Sequence, residues 1–518
     1  MRFGRFRYYH FLPNVNKKYR FGKFLSLFFG RLPEKQYLCN DTSIIFVMEK
    51  LIGREQERDE LMRCYHSERS EFVIVYGRRR IGKTFLVNAV FQQQYAFYFT
   101  GSHKATKERQ LERFAMTLQA FGKLPLTPSL PNWYKAFDGL QMMLQSLPAN
   151  KKKVVFFDEM PWIDTFNSEF VAAFEDFWNT WAAVRDDIML IACGSSTSWM
   201  MDKLVENQGG LHNRITSRIY LRPFNLSECE QYLQHHHCPW DRYQIVQCYM
   251  TLGGVPYYLS LIDPKKSLAQ NIDSLFFKEG AKLSNEFNEL YSTLFKEAEK
   301  YIDIVRLLAA HREGLTRQEL AVKTKTGGGG LTQRLENLEN SDFIMGYNHF
   351  GTKKKGIIYR MKDFYTLFYL RFIENIRTQN EEYWTKKMHS SDVLAWQGLT
   401  FELICLTHLG CIKRKLGIQG MLVNASSWRS RQPDDNTQVD LVIDRADRII
   451  HLCEMKFSVE PYVISKEYEE RLRKRMAIFR AETKTRKTLL TTFVTTYGIM
   501  PNIHSGIVSG EIVMDDLF

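Results

Sequence analysis

Phe72–Thr84 reads FVIVYGRRRIGKT, and its two halves obey different rules. Phe72–Tyr76 is a run of aromatic and β-branched residues, the composition of a buried strand. Gly77-Arg78-Arg79-Arg80-Ile81-Gly82-Lys83-Thr84 then fits GxxxxGK[ST] in full. Behind it, Thr84–Phe91 reads as a helix with Phe85, Leu86 and Ala89 turned inward. A strand feeding a glycine-bearing loop that opens a helix gives the motif a physical meaning. Gly77 and Gly82 let the backbone aim its amides at phosphate oxygens, and the helix N-terminus adds positive potential. Lys83 brings charge to the β- and γ-phosphates, and the Thr84 hydroxyl supplies one ligand for Mg2+. All eight residues, Gly77 through Thr84, are expected nucleotide contacts.

Two further strands complete the argument. Lys153–Glu159 (KVVFFDE) ends in two acids, which a parallel sheet would bring to the same crevice as the loop. Asp158 is expected to hold Mg2+, and Glu159 to orient and polarise an attacking water. Ile188–Cys193 (IMLIAC) ends in Gly194-Ser195-Ser196, where a serine serves either as a γ-phosphate sensor or as the cap of the next helix. Gly209–Arg218 (GGLHNRITSR) carries Arg214 and Arg218, and Arg214 is the candidate arginine finger. Together these segments imply an α/β fold with a parallel sheet.

Composition sets the bounds. The chain has 518 residues, room for about three domains. It is 44% hydrophobic and 25% charged, and no apolar run approaches the roughly 20 residues of a membrane helix. Nine scattered cysteines without a CxxC pair suit a reducing compartment, so a cytoplasmic protein with no membrane partner is expected. His235-His236-His237-Cys238 has no second ligand cluster and reads as a helix end or loop. Of the formal charge of +13, residues 1–47 hold +7, from nine Lys and Arg against Glu34 and Asp41. That leader has no sustained period. It is either a disordered basic arm or the product of a start placed upstream of Met48, and the second is favoured.

Beyond the core, taken as residues 48–222, residues 223–295 read as a helical lid, with amphipathic runs at Leu226–Gln234 and Arg242–Leu252. Residues 296–360 follow the order of a winged helix. Its helices would be Tyr301–Ala310, Thr316–Val322 and Leu331–Asn340, and its wing would turn at Lys353-Lys354-Lys355. Such a unit either contacts DNA or packs between domains, and Glu336 and Glu339 face phosphates badly. Residues 361–395 form an aromatic-rich helical linker. In residues 396–518, a helix at Gly398–Leu409 carries Glu402, and Gln438–Asp444 and Ile449–Phe457 read as adjacent antiparallel strands. Asp440 and Glu454 are separated by thirteen residues, and Glu454 and Lys456 share a strand face. Two carboxylates can bind Mg2+ while a lysine steadies a developing phosphorane. The same alternation also describes an ordinary half-buried strand, so cleavage and mere binding both remain open. Asp434 and Asp435 read as loop, and Lys466–Arg475 as a charged helix, either a solvent face or the lining of a polyanion channel.

LIGREQE (Leu51–Glu57), VYGRRRIGKTFL (Val75–Leu86), FFDEMPW (Phe156–Trp162), CGSSTSWM (Cys193–Met200), GGLHNRIT (Gly209–Thr216) and GGVPYYL (Gly253–Leu259) resemble the archaeal-type P-loop ATPases, relatives of the AAA+ and STAND ATPases. The resemblance implies that Gly53 and Arg54 lie near the adenine and that Gly254 and Pro256 join the pocket from a helical lid. Ser195 and Ser196 depart from the usual Asn or Thr sensor. The C-terminal segment resembles a PD-(D/E)xK nuclease core, a restriction-endonuclease-like α/β fold. That implies a site of Glu402, Asp440, Glu454 and Lys456, with Asp440 and Glu454 as ligands of a second Mg2+. The expected function is ATP hydrolysis, with ATP and Mg2+ as cofactors, switching a C-terminal domain that acts on or binds DNA or RNA, with a homo-oligomer as the working assembly. The alternative is a STAND-like signalling switch whose inactive nuclease-like domain binds a protein partner.

Overall fold

In the computed structural model the described residues are 50–148, 151–206, 210–211, 213–351, 357–376, 381–430 and 437–518. The leader 1–47, Met48, the Lys353–Lys355 turn, and Asp434 and Asp435 lie outside them.

Strands β1 (Glu71–Tyr76), β2 (Phe97–Thr100), β3 (Lys153–Asp158), β4 (Ile188–Gly194) and β5 (Ser217–Tyr220) form a sheet in the order β2-β3-β4-β1-β5. Every neighbouring pair is parallel. Phe72 and Ile74 pack on one face with Phe157 and Leu190. Val73 and Val75 pack on the other with Phe156 and Ile191. Burial on both faces is why β1, β3 and β4 read as continuous apolar runs rather than alternating ones. Helices α1 (Glu55–Tyr65) and α2 (Lys83–Phe91) cover the second face. Within α2 the buried residues are Lys83, Leu86, Val87 and Phe91, whereas Phe85 is 38% exposed. Of the expected inward residues Leu86 is buried, but Phe85 faces out and Ala89 is only half-buried, because the sheet contact follows Leu86 and Val87.

Register aligns the carboxyl ends of the strands. Tyr76 pairs with Gly194 on one side and Tyr220 on the other, and Thr100 pairs with Asp158. The loops that leave these ends share one crevice.

Helices α3 (Leu226–His235) and α4 (Arg242–Leu252) follow, each opened by a capping box, from Asn225 with Glu228 and from Asp241 with Gln244. After α5 (Glu286–Leu294) come α6 (Ala298–Ala310), α7 (Arg317–Thr324) and α8 (Gly328–Asn340). These carry a small antiparallel sheet of β6 (Leu315–Thr316), β7 (Ile344–Tyr347) and β8 (Ile358–Met361), in the order β6-β8-β7. Helices α9 (Phe364–Phe372) and α10 (Ser391–Thr407) lead to a second five-stranded sheet. Its strands are β9 (Val423–Arg429), β10 (Gln438–Arg445), β11 (Ile449–Lys456), β12 (Thr488–Thr495) and β13 (Val508–Val513), ordered β13-β12-β11-β10-β9. Leu441, Ile443, Cys453 and Met455 face the α10 side in a core continuous with α3 through α9. Val439, Val442, Ile450 and Leu452 face Phe479 of α11 (Lys466–Thr483).

Candidate functional site

Gly82 caps α2 with φ 84°, and Gly77 has φ 143°, both conformations that favour a residue without Cβ. A Cβ on Gly77 would also collide with the Leu221 carbonyl oxygen. The loop they frame turns Lys83 back on itself, and its Nζ donates to the carbonyls of Gly77 (3.1 Å) and Arg78 (2.9 Å). The ammonium is thereby held over the loop, where phosphates are expected. The Thr84 hydroxyl donates to Asp158 Oδ2 at 2.9 Å, joining the start of α2 to the end of β3. Burial, and then the charge of Glu159, pushes the Asp158 carboxyl up to about 6. A hydroxyl and a carboxylate are hard oxygen donors that fit Mg2+, and a nearby divalent cation favours the ionised form of such a buried acid.

Glu159 stands just past β3 in a left-handed conformation, φ 48°. Its Oε2 accepts from the Ser195 amide (3.1 Å) and hydroxyl (2.8 Å). Ser196 occupies the N-cap of the next helix without a side-chain cap bond. The two serines thus separate: Ser195 touches the expected water-polarising carboxylate, and Ser196 stands at the N-cap without a side-chain cap bond.

The three loop arginines do something else. Arg78 is 1% exposed and pairs with Asp363, which also caps α9 by accepting from the Thr366 amide and hydroxyl. Arg79 donates to the Thr293 hydroxyl in α5 (3.1 Å). Arg80 makes a two-pronged pair with Glu286 at the start of α5 (3.0 and 2.8 Å) and lies 4.1 Å over the Tyr257 ring. Its backbone is left-handed, φ 76°, and its carbonyl accepts from the Tyr257 amide. Their backbone amides stay in the phosphate loop, but their side chains reach residues more than 200 positions downstream. The three guanidinium groups are each committed to the lid or the linker. No spacing in the sequence signals the partners Glu286, Thr293 and Asp363.

The residues expected near the adenine converge on the start of the lid. Arg54 is 5% exposed, donates to the Arg222 carbonyl (2.6 Å) and lies over Phe224. The Phe224 amide donates to the Gly254 carbonyl (2.8 Å). Gly53 approaches Glu228 of α3 closely. Pro256 opens the short helix whose next residue, Tyr257, meets Arg80. Gly53, Arg54, Gly254 and Pro256 therefore belong to one wall continuous with the loop.

Arg214 does not join this site within one chain. It is exposed in the turn that enters β5, and the neighbouring Thr216 pairs with Phe72 at the amino end of β1. The loop leaves the opposite end of that strand, roughly 13 Å away at the usual rise per residue. Strand direction, which the motif alone does not give, sets Arg214, the candidate arginine finger, at the opposite end of β1 from its own chain's phosphate loop.

A second cluster lies in the C-terminal sheet. Asp440 and Glu454 stand one position beyond the Leu441–Cys453 pair on β10 and β11, the cross-strand placement expected. Lys456 Nζ sits 2.6 Å from Glu454 Oε1, and the Tyr468 hydroxyl donates to that oxygen. Arg475 pairs with Oε2. Burial alone would raise the Glu454 carboxyl, but Arg475, Lys456 and Tyr468 outweigh it and hold it down to about 2. Glu402, on α10, is pushed up to about 8 by burial and then by the charge of Asp440. The four expected residues are brought near one another. Among the described residues, however, no group of three or more Asp, Glu, His or Cys side chains is arranged to hold a metal ion. The oxygens of Glu454, expected with Asp440 to ligate a second Mg2+, accept from Lys456, Arg475 and the Tyr468 hydroxyl. Tyr468 and Arg475 were legible only as a charged helix. Also among the described residues, no helix is long and apolar enough to cross a membrane.

A parallel α/β sheet, a phosphate loop with its lysine turned inward, and a threonine–aspartate pair at the strand ends define a P-loop ATPase domain. A family model described as an ATPase domain predominantly from Archaea matches residues 51–262, so this segment is an ATPase domain of the archaeal type. The chain is similar to an uncharacterized protein, MJECL04, of Methanocaldococcus jannaschii. The two are 23% identical over 397 residues, which is 76% of this chain and 83% of that protein. Among solved structures it is similar to the Walker-type ATPase PABY2304 of Pyrococcus abyssi, with TM-score 0.43 and 18% identity over 62% of this chain and 96% of that one. It is also similar to the ORC2 protein of Aeropyrum pernix in its ADPNP–ADP complexes, with TM-score 0.37 and 14% identity over 63% and 95%.

Proposed function

We propose that this chain hydrolyses ATP and uses the nucleotide state to switch a C-terminal, PD-(D/E)xK nuclease-like domain that acts on or binds nucleic acid. The proposal divides the chain into an ATPase core (48–222), a lid (223–295), a winged helix (296–360), a linker (361–395) and the nuclease-like domain (396–518). Thr84 and Asp158 would hold Mg2+, which when bound offsets charge on the phosphates. Lys83 draws charge at the transferred phosphate, and Glu159, aligned by Ser195, takes a proton from the attacking water. One observation carries the coupling: Arg79 and Arg80, inside the phosphate loop, grip Thr293 and Glu286 of the lid, and Arg78 grips Asp363 beyond it. A loop that reshapes around nucleotide pulls on the lid and on the helix leading to the C-terminal domain. Contact from that side is direct as well, since the Leu226 amide donates to His408 of the C-terminal segment, and Tyr243 stacks on Phe457 at 4.8 Å.

The engagement of both Glu454 oxygens favours a second reading, a STAND-like signalling switch whose nuclease-like domain no longer cuts and binds a protein partner. The exposed Arg214 supports a homo-oligomer in which it reaches a neighbour's nucleotide. ATP turnover with and without DNA or RNA, scored together with polymer integrity in the same tube, tests the choice. Stimulation by nucleic acid is expected. Turnover indifferent to both polymers, with neither bound nor cut, would leave the signalling reading in its place.

A further inference from the structure

A cavity of about 680 Å3 opens where the small β6-β8-β7 unit meets the C-terminal sheet. Arg312 lines it from the turn after α6, Arg429 from the end of β9, and Arg471, Lys474 and Arg475 from α11, against one acid among the described residues, Glu313. Positions 471, 474 and 475 fall on one face of a helix. Arg473, between them, is spent on Glu469 at 2.6 Å. Arg312, Arg429, Arg471 and Lys474 are exposed and carry no ion pair among the described residues, while Arg475 is anchored by Glu454. The two walls are joined by hydrogen bonds: the Phe350 amide donates to the Ser427 carbonyl (2.7 Å), and the Arg429 amide to His349 Nε2 (3.1 Å).

We infer that this groove binds the phosphodiester backbone of a nucleic-acid strand and delivers it to the Asp440–Glu454–Glu402 cluster. The inference rests on the nucleic-acid reading above and fixes where the polymer lies. Four of the five cations are arginines, whose planar forks suit the paired oxygens of phosphate better than a lysine-rich face would. Arg471 and Lys474 lie about one helical turn apart, close to the step between neighbouring phosphates of an extended strand. The Gln438 side of the groove is two residues from Asp440, so a strand held by the arginines passes the carboxylates. Because Arg312 comes from the middle unit and the rest from the C-terminal sheet, the groove exists only while the two stay docked.

The test uses the full chain with fluorescein-labelled single-stranded DNA, single-stranded RNA and duplex DNA, read by anisotropy across a salt series. Arg471→Glu with Lys474→Glu should weaken binding at least tenfold. The salt slope should fall by about 1.4 for a single strand, from two lost phosphate contacts. Arg312→Glu, on the opposite wall, should weaken it in the same direction. Arg473→Glu makes the same kind of charge change one position away and should leave affinity within twofold. ATP turnover and melting temperature, unchanged in each variant, exclude misfolding. Wild-type binding that survives the double reversal overturns the groove and leaves the nucleic-acid reading intact. If the wild type binds none of the three polymers at low salt, both fall. If poly-glutamate competes as well as the oligonucleotides, the groove recognises acidic protein and the inference is wrong.

Discussion

Asp363→Ala should be among the most damaging single changes outside the nucleotide crevice. Among the described residues Asp363 is the only hydrogen-bonding partner of the Arg78 guanidinium, which is 1% exposed and whose Nε and Nη2 have no partner there. Removing one member of a buried ion pair costs about 3–5 kcal/mol, because the other charge is left uncompensated. Asp363 also caps α9 through Thr366, and loss of such a cap costs about 1 kcal/mol. The expected total is about 4–6 kcal/mol, much of the stability of an ordinary domain. Trp384 and Trp396 sit within 5.3 Å of α9 rings, so urea unfolding followed by tryptophan fluorescence reads this region. The urea midpoint should drop sharply. Arg78→Met combined with Asp363→Leu, which removes both charges, should recover most of the loss, since replacing a whole buried pair by apolar groups is often close to neutral. An Asp363→Ala midpoint equal to wild type would refute the reasoning, as would a double variant whose losses simply add.

Ser195→Ala should lower kcat about tenfold while leaving ATP affinity within twofold, because it deletes a hydrogen bond to a carboxylate, typically worth about 1.5–3 kcal/mol; an unchanged kcat in steady-state turnover removes Ser195 from the site. Burial pushes His408 down to about 4, so its neutral ring accepts from Leu226, and the unfolded chain takes up the proton more readily. Its contribution is full above the unfolded value near 6.5 and is lost as pH falls toward 4. Melting temperatures should therefore fall between pH 7 and pH 5 in wild type and fall less in His408→Gln; parallel profiles would contradict this. Arg214→Ala should leave ATP binding intact and lower turnover only under conditions where the chain self-associates; a loss of turnover that is independent of protein concentration would rule out action on a neighbouring subunit.

The parts of this account legible in the sequence are those written locally. The strand, loop and helix from Phe72 to Phe91 and the acids closing β3 are fixed by residues a few positions apart, and their order foretells a parallel sheet. Arg242–Leu252 carries its own stop and start signals and falls where the sequence puts it. What escaped depends on chain segments meeting from afar. Arg78 and Asp363 are 285 positions apart, and nothing in GRRRIG says that its arginines turn away from phosphate. The placement of Arg214 was not legible because a motif has no direction, whereas β5 runs parallel to β1 and sets the residue before it at the end of the sheet away from the phosphate loop. The oxygens of Glu454 looked available because Tyr468 and Arg475 lie on a helix that sequence alone shows only as charged.

On the proposed function, the crevice at the ends of β1, β3 and β4 turns over ATP through Glu159. The most direct measurement is phosphate release by Glu159→Gln beside wild type, with ATP binding followed in parallel and Lys83→Ala as the variant that should lose nucleotide affinity. The substitution keeps an oxygen to accept from Ser195 but removes the group that takes the proton. Glu159→Gln should bind ATP with wild-type affinity and release phosphate about 100-fold more slowly or less. Phosphate release at the wild-type rate from Glu159→Gln would contradict the assignment.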